Sequence, residues 1–380
     1  MDNIKLNKPE FLYIEACNFI DYPKGGTLSF ALQLLKVFGN KMALVGYTDN
    51  KEECGKWTIK NINGVNYYFF GISVKKKTTK KPIIPARITS FFELKKNLKR
   101  IASISVNKVF TQTPQFALLL NNSYFTNKCF CFAGTTNSVE ISRYRYLRFL
   151  SKIYEKKLFK ALSTFQVILA AADQEAIQAL KVRSNKILQN KEIISFPTRF
   201  DDKIFFPQNK IDCRKKLGLD VNKKIFVVSG RLSWVKGWKF LIESFNNFLY
   251  KFDENAILIF VGDGEDKKKI ESYAKELNIN DKIIITGMKA PEEVSLYLNA
   301  CDIYLCGSYY EGWSTAMTEA LGCGCPIVST NVSGAKDMIL ENQNGFIVFE
   351  RDPIIFSSKM YNTLYLKNAS NLSYNISKKY

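Results

Sequence analysis

The sequence predicts an α/β protein made of two doubly wound domains facing each other across a cleft. From residue 222 onward, short β-branched or aromatic runs alternate with helix-length amphipathic segments, the pattern of a parallel sheet covered on both faces. Residues 11 to 196 show the same alternation less cleanly. Between these stretches, FPTRFDDKIFFPQNKIDCRKKLGLD has two prolines, mixed charge and no period, so the junction falls there, with domains at 1–205 and 206–380. With 380 residues, 46% of them hydrophobic, each half can bury its own core.

The first unit opens with a strand in FLYIEA (11 to 16), a glycine-containing turn in PKGG (23 to 26), and a helix through Leu35. In the second half the strands are IFVVS (225 to 229), AILIFV (256 to 261), KIIIT (282 to 286), DIYLC (302 to 306), PIVST (326 to 330) and FIVF (346 to 349). Helices are expected near 238 to 250, 265 to 277, 291 to 299, 314 to 322 and 334 to 341. The longest apolar runs fall far short of the roughly 18 residues a spanning helix needs. The first residues, MDNIKLNKPEFLYIEA, lack the apolar core of a signal peptide, so a cytoplasmic protein is expected.

Nine cysteines and no histidine give no zinc-ligand spacing, and reduced, mostly buried thiols are expected. The net charge of +20 is unevenly divided: residues 1 to 205 hold 33 Lys and Arg against 15 Asp and Glu. Within residues 75 to 108 Glu93 is the lone acid among eleven basic residues. Such a field attracts phosphorylated ligands, anionic lipid surfaces or nucleic acid.

Ligands of open α/β sheets bind at the carboxyl ends of the strands, so the loops after the strands are where chemistry is sought. After the first strand of the second half, G-R-L-S-W-V-K-G places Arg231 and Lys236 on one turn. An arginine fork and a lysine point charge together suit a diphosphate, although a solvated basic loop would read the same in isolation. After the second strand, V-G-D-G-E (261 to 265) is a glycine turn without the full dinucleotide fingerprint. After strand 302 to 306 comes SYYEGWSTAMTEALGCGCPIVST (308 to 330). Here Glu311 lies in the loop, and Ser314 or Thr315 caps a helix that Gly322, Gly324 and Pro326 stop. The amides around Trp313, Ser314 and Thr315 then favour an anionic phosphate. Glu319 sits one turn into that helix. Carboxylates near a phosphate repel it unless they accept hydrogen bonds from hydroxyls, and a nucleotide-sugar supplies such hydroxyls to both glutamates.

G-R-x4-K-G followed by E-x7-E resembles the donor-site signature of the retaining glycosyltransferases of family 4, which have the GT-B fold of two Rossmann-like domains. The resemblance extends to the Gly25-Gly26 turn, to F-P-T-R-F-D-D-K-I-F-F-P (196 to 207) and to V-S-G-A-K-D-M-I (332 to 339). It implies a hexose or N-acetylhexosamine transferred from a nucleotide-sugar, by family default a uridine one, to a saccharide acceptor. Arg231 and Lys236 would hold the diphosphate, helped by the Gly26 amide. Glu319 would bind the ribose, Glu311 would face the reacting sugar as hydroxyl acceptor or nucleophile, and the loop at Met288 would cover the base. No cofactor and no metal are implied, because Arg231, Lys236 and the helix terminus stabilise the leaving diphosphate.

Two features depart from the family. Many relatives carry a histidine before glycine near the donor sugar, where F-A-G-T-T has Ala133, so either the outer hydroxyl has another partner such as Thr135 or the activity is reduced. Relatives also commonly end with a helix crossing back onto the first domain, and a short latch is expected here. The rival readings are a basic nucleic-acid-binding protein, which leaves the paired glutamates without purpose, and a non-catalytic nucleotide-sugar-binding relative, suggested by Ala133. Residues 86 to 101, ARITSFFELKKNLKRI, set Ile88, Phe91, Phe92, Leu94, Leu98 and Ile101 near one helical face, with Lys95, Lys96, Lys99 and Arg100 mostly off it. In isolation such a helix would read as core-packing with a solvated basic side, but with the Lys75 to Lys81 run it suits peripheral attachment to the inner face of an anionic cytoplasmic membrane that carries a lipid-linked acceptor. The setting expected is bacterial lipopolysaccharide, capsule or exopolysaccharide synthesis, with no nucleic-acid partner.

Overall fold

A computed structural model describes residues 8–23, 26–75, 86–121, 124–134, 136 and 149–380. It divides into two compact units, Met1–Pro197 and Thr198–Tyr380. The division falls ahead of the junction expected at 205/206, because the segment from Thr198 packs on helices of the second unit: the Ile204 carbonyl accepts from Ser295, and the Phe200 ring lies against Gly322.

The first unit runs β1 (Phe11–Ile14), α1 (Gly26–Phe38), β2 (Met42–Thr48), β3 (Trp57–Ile62), β4 (Val65–Val74), α2 (Ala86–Ala102), β5 (Lys108–Thr111), α3 (Pro114–Leu120), β6 (Asn127–Phe132), α4 (Ser151–Leu162), β7 (Val167–Ala170), α5 (Gln174–Arg183) and β8 (Ile194–Ser195). The strand order is β3-β4-β2-β1-β5-β6-β7-β8. All neighbours are parallel except the edge pair β3 and β4, an antiparallel hairpin. That hairpin turns at Asn63-Gly64, both at positive φ as a two-residue hairpin turn demands. Alternate residues of the inner strands serve opposite faces. Leu12, Ile14, Ala43 and Val45 pack under α2 to α5, while Tyr13, Met42 and Leu44 pack under α1. The strand expected over 11 to 16 stops at Ile14, since Glu15 turns its carboxylate onto Ala16 N, Gln112 N and the Thr113 hydroxyl.

Helix α2 matters for the membrane expectation. Leu94 and Ile101 are buried in the core and Leu98 packs against it, so the apolar stripe is occupied by its own domain. What remains outside is the basic face, Lys95, Lys96, Lys99 and Arg100, with Phe92 62% exposed. Lys75 is anchored, donating to the Thr89 hydroxyl, and residues 76 to 81 lie outside the described residues.

The second unit runs α6 (Lys210–Lys216), β9 (Lys224–Ser229), α7 (Trp238–Lys251), β10 (Ala256–Val261), α8 (Lys267–Glu276), β11 (Ile283–Ile285), α9 (Pro291–Ala300), β12 (Ile303–Cys306), α10 (Thr315–Gly322), β13 (Ile327–Thr330), α11 (Ala335–Met338), β14 (Gly345–Val348), α12 (Pro353–Thr363) and α13 (Ala369–Ser377). Its six strands are all parallel in the order β11-β10-β9-β12-β13-β14. One face packs on α7, α8 and α12 through Phe226, Phe245, Leu258, Leu305 and Phe356. The helix expected over 334 to 341 is cut to Ala335–Met338, where Asn344 takes over by bonding Leu340 N and the Met338 carbonyl. Buried Arg214 ties α6 to the carbonyls of Val221 and Ala300 and to Asp302, whose other contacts reach Ile225 N and Lys210. Burial alone would raise the Asp302 pKa, but Lys210, the Ile225 amide and Arg214 hold it below the ordinary range. This knot joins β9 to β12 at their amino ends.

All nine cysteines are free thiols, and all but Cys54 and Cys129 are buried. Among the described residues no helix is long and apolar enough to cross a membrane.

Candidate active site

In the second sheet the winding reverses between β9 and β12, which lie side by side though their helices depart in opposite directions. At such a switch point the loops after the two strands separate and leave a crevice at their carboxyl ends, where doubly wound sheets bind ligands. The loop after β9 carries Arg231 and Lys236, and the loop after β12 carries Glu311.

The two loops are held close by backbone. Gly237 has φ 66°, and a methyl group there would fall 1.9 Å from the Gly307 carbonyl oxygen, so glycine alone permits the approach. Tyr309 N donates to the Val235 carbonyl at 2.8 Å. Across this junction Lys236 Nζ donates to Glu311 Oε1 at 2.6 Å, and Ser308 Oγ donates to the same oxygen at 2.6 Å. Burial pulls the Lys236 pKa down, but the charge and hydrogen bond of Glu311 more than offset it and the ammonium is held above its ordinary range. Arg231 is exposed, and its charge acts on Lys236. The turn at 261 to 265 has a packing role: a methyl on Gly262 would fall 1.9 Å from the Gly230 carbonyl oxygen, so these glycines seat β10's loop against the Arg231 turn.

Ser314 caps α10, its hydroxyl accepting from Met317 N at 3.4 Å, and Thr315 is the first helical residue. No acidic side chain stands in the first turn, so the positive end of the helix is left for a ligand anion. Trp313 turns its indole inward against Gly334 and the Tyr380 ring, 5.3 Å between centroids, leaving only its backbone for a ligand. Glu319 lies one turn along, where burial, opposed by the charge of Lys236, pushes its carboxyl up to about 8.

Lys236, Glu311 and Glu319 therefore lie together at the carboxyl ends of β9 and β12, with Ser314 and Thr315 at the head of α10 and Arg231 exposed on the loop after β9. Met288, 62% exposed, stands after β11 on the β10 side. Gly26 opens α1 in the first unit, and Gly25 lies outside the described residues. Ala133 directly follows β6, and Thr135 is likewise outside the described residues. Ser308 and Arg351 were not legible in the sequence. Ser308 stands in the quoted loop, but Arg351 reaches it from 44 positions away, donating to the Gly307 carbonyl at 2.9 Å.

Residues 209–378 match the family of glycosyl transferases group 1. The match lies within the second unit, which is similar to these glycosyltransferases, and the chain's two doubly wound sheets are those of the GT-B fold. Alpha-monoglucosyldiacylglycerol synthase of Streptococcus pneumoniae is 28% identical over 142 residues, 37% of this chain and 32% of that protein. The first curated relatives are matched over 40% of their own length. Among solved structures, sucrose-phosphate synthase from Thermosynechococcus elongatus aligns with a TM-score of 0.75 at 15% identity, over 97% of this chain and 92% of that one. Anabaena HepE, solved with UDP-glucose, aligns with a TM-score of 0.67 at 14% identity, over 97% and 94%.

The Glu319 carboxyl gives a pH signature with a definite sign. Its folded pKa is raised, so the stability it contributes is complete below the ordinary carboxyl value and is lost as pH rises toward about 8. The melting temperature of the wild type should fall relative to Glu319→Gln as pH rises from the ordinary 4.5 to about 8, then run parallel. Parallel curves throughout would mean that Glu319 is ionised in the free protein.

Proposed function

We propose that the protein is a retaining glycosyltransferase that moves a hexose or N-acetylhexosamine from a UDP-sugar to a saccharide acceptor, lipid-linked, at the inner face of a bacterial cytoplasmic membrane during surface-polysaccharide assembly. The observation that carries this reading is the Lys236–Glu311 pair at the switch point, beside the unopposed amino end of α10. A cation for phosphate and an acceptor for sugar hydroxyls stand together, as a sugar–diphosphate linkage requires.

In this reading Arg231, Lys236 and the amides of α10 hold the diphosphate, and Glu319 takes the ribose hydroxyls. Glu311, released from Lys236 by the arriving phosphate, takes a hydroxyl of the sugar. The bond from the anomeric carbon to the diphosphate oxygen breaks, and the acceptor oxygen bonds to that carbon on the same face. Its proton passes to the departing phosphate oxygen and UDP leaves. Charge developing on the leaving group meets fixed cations, so the reaction is expected to proceed in a chelator without metal. The UDP-glucose of HepE and the diacylglycerol glycolipid in the name of the S. pneumoniae relative support the donor and acceptor classes.

Turnover tests the assignment. Arg231→Ala and Lys236→Ala should each lower kcat at least about tenfold, since each removes stabilisation of the leaving diphosphate. Glu311→Ala should lower kcat strongly. Glu319→Ala should raise the donor KM more than it lowers kcat, because ribose contacts are equal in ground and transition states. Wild-type kinetics in both cation variants would remove the diphosphate role, and identical behaviour of the two glutamate variants would remove their division of labour.

Membrane attachment, in this reading, is electrostatic, because the apolar stripe of α2 is used by the core and its basic face is left outside. Each basic residue near an anionic surface contributes about 1 kcal/mol, so the four on α2 with Phe92 suffice for reversible binding. The protein should sediment with anionic vesicles and not with neutral ones, and replacing Lys95, Lys96, Lys99 and Arg100 by glutamine should abolish this. Equal binding to both vesicle types would overturn the attachment and leave the donor site untouched.

A further inference from the structure

We infer that Arg351 is a positioning residue for Glu311, acting through the backbone of the loop after β12. The inference rests on the reading of Glu311 as the group that faces the transferred sugar.

Arg351 comes after β14, at the edge of the sheet away from β9, yet its guanidinium spans back to the switch point. Nη1 donates to the Gly307 carbonyl at 2.9 Å and Nη2 to the Ser308 carbonyl. The guanidinium lies 3.7 Å from the Tyr309 ring centroid and 5.5 Å from that of Phe240. Among the described residues no carboxylate pairs with it. A cation held by two carbonyls and two rings contributes its planar double donor, which lysine cannot reproduce. A salt bridge would have served surface stability; this arrangement instead fixes three consecutive residues, Gly307 to Tyr309.

Those residues set Glu311. Ser308 is held through its carbonyl by Arg351 and by the Thr330 hydroxyl at 2.8 Å, and its own hydroxyl donates to Glu311 Oε1. Tyr309 is held through its ring by Arg351 and through its amide by Val235. The carbonyl of Gly307 that accepts from Arg351 is the atom against which Gly237 packs, next to Lys236. Both members of the Lys236–Glu311 pair are therefore registered against the peptide that Arg351 grips. Arg351 has no contact with the crevice side chains themselves. Its effect should appear in the placement of Glu311, where a displacement of about an ångström costs up to about a hundredfold in rate.

The test uses Arg351→Ala, Arg351→Lys and Glu311→Gln in the full chain. UDP release from UDP-glucose should show kcat reduced at least about tenfold in Arg351→Ala, with UDP affinity by calorimetry within about threefold of wild type. Arg351→Lys should remain well below wild type, and added methylguanidine should restore turnover to Arg351→Ala but not to Glu311→Gln. A second readout needs no turnover: acetylation of Lys236 by acetic anhydride, followed by mass spectrometry with exposed Lys239 as reference. When Glu311 moves away, the Lys236 pKa falls and its amine reacts faster, by about threefold for half a pKa unit. Arg351→Ala should match Glu311→Gln in this rise. Lys236 reactivity equal to wild type in Arg351→Ala, or loss of UDP binding in step with kcat and no rescue, would overturn the inference. If Arg351→Ala does not fold, Arg351→Lys decides by the same two measurements. A wild-type chain that turns over no nucleotide-sugar would count against the proposed function, while the Lys236 labelling would still judge Arg351.

Discussion

The ion pair between Lys236 and Glu311 is the contact on which the site depends. It joins the loops after β9 and β12, the two strands between which the sheet reverses its winding, and it does so with side chains 31% and 12% exposed. A half-buried pair of this kind gains more from Coulomb attraction than an exposed one but needs its remaining lone pairs satisfied. Ser308 supplies one such bond. The geometry that lets the pair form is backbone geometry: a left-handed glycine at 237 against the Gly307 carbonyl, and the Tyr309 amide on Val235. In the free protein the cation and the carboxylate neutralise each other. In the proposed function, an anion arriving here would compete for Lys236 and free Glu311 for hydroxyls, so that one event would prepare both groups.

The crevice also manages its negative charge. Two glutamates beside a diphosphate would repel it if both were free and ionised. In the free protein Lys236 balances the charge of Glu311, while burial raises the Glu319 carboxyl to about 8 and so keeps it largely protonated near neutrality. With Arg231 at the rim and no acidic residue in the first turn of α10, the field at the helix terminus stays positive. The indole of Trp313, turned inward under Tyr380, anchors the peptide that leads into that terminus.

Much of this was legible because it is local. Period-2 and period-3.6 hydrophobicity placed the six strands and five of the helices of the second unit to within a few residues, though not α6, α12 and α13, and the order of loops came from the rule for parallel sheets. Arg231, Lys236, Glu311 and Glu319 stood out because strand-end loops concentrate their chemistry in short stretches. The edge hairpin β3–β4, antiparallel because Asn63-Gly64 reverses the chain, was not read, and the helix after Gly334 stops short at Met338 because the Asn344 side chain takes its bonds. For α2 the sequence fits both a core-packing helix with a solvated basic side and a membrane-facing one, and the packing of Leu94 and Ile101 in the core decides for the first. Arg351 gave no signal, since its partners are backbone carbonyls far away in sequence.

Calorimetric titration of UDP and of uridine into the wild-type chain and into Lys236→Gln tests the central claim most directly, because the difference between the two ligands isolates the diphosphate. UDP is expected to bind wild type at least about a hundredfold more tightly than uridine, as two charge-assisted contacts would give, and to lose most of that advantage in Lys236→Gln. An advantage for UDP that is unchanged by the substitution would place the diphosphate elsewhere and contradict the account.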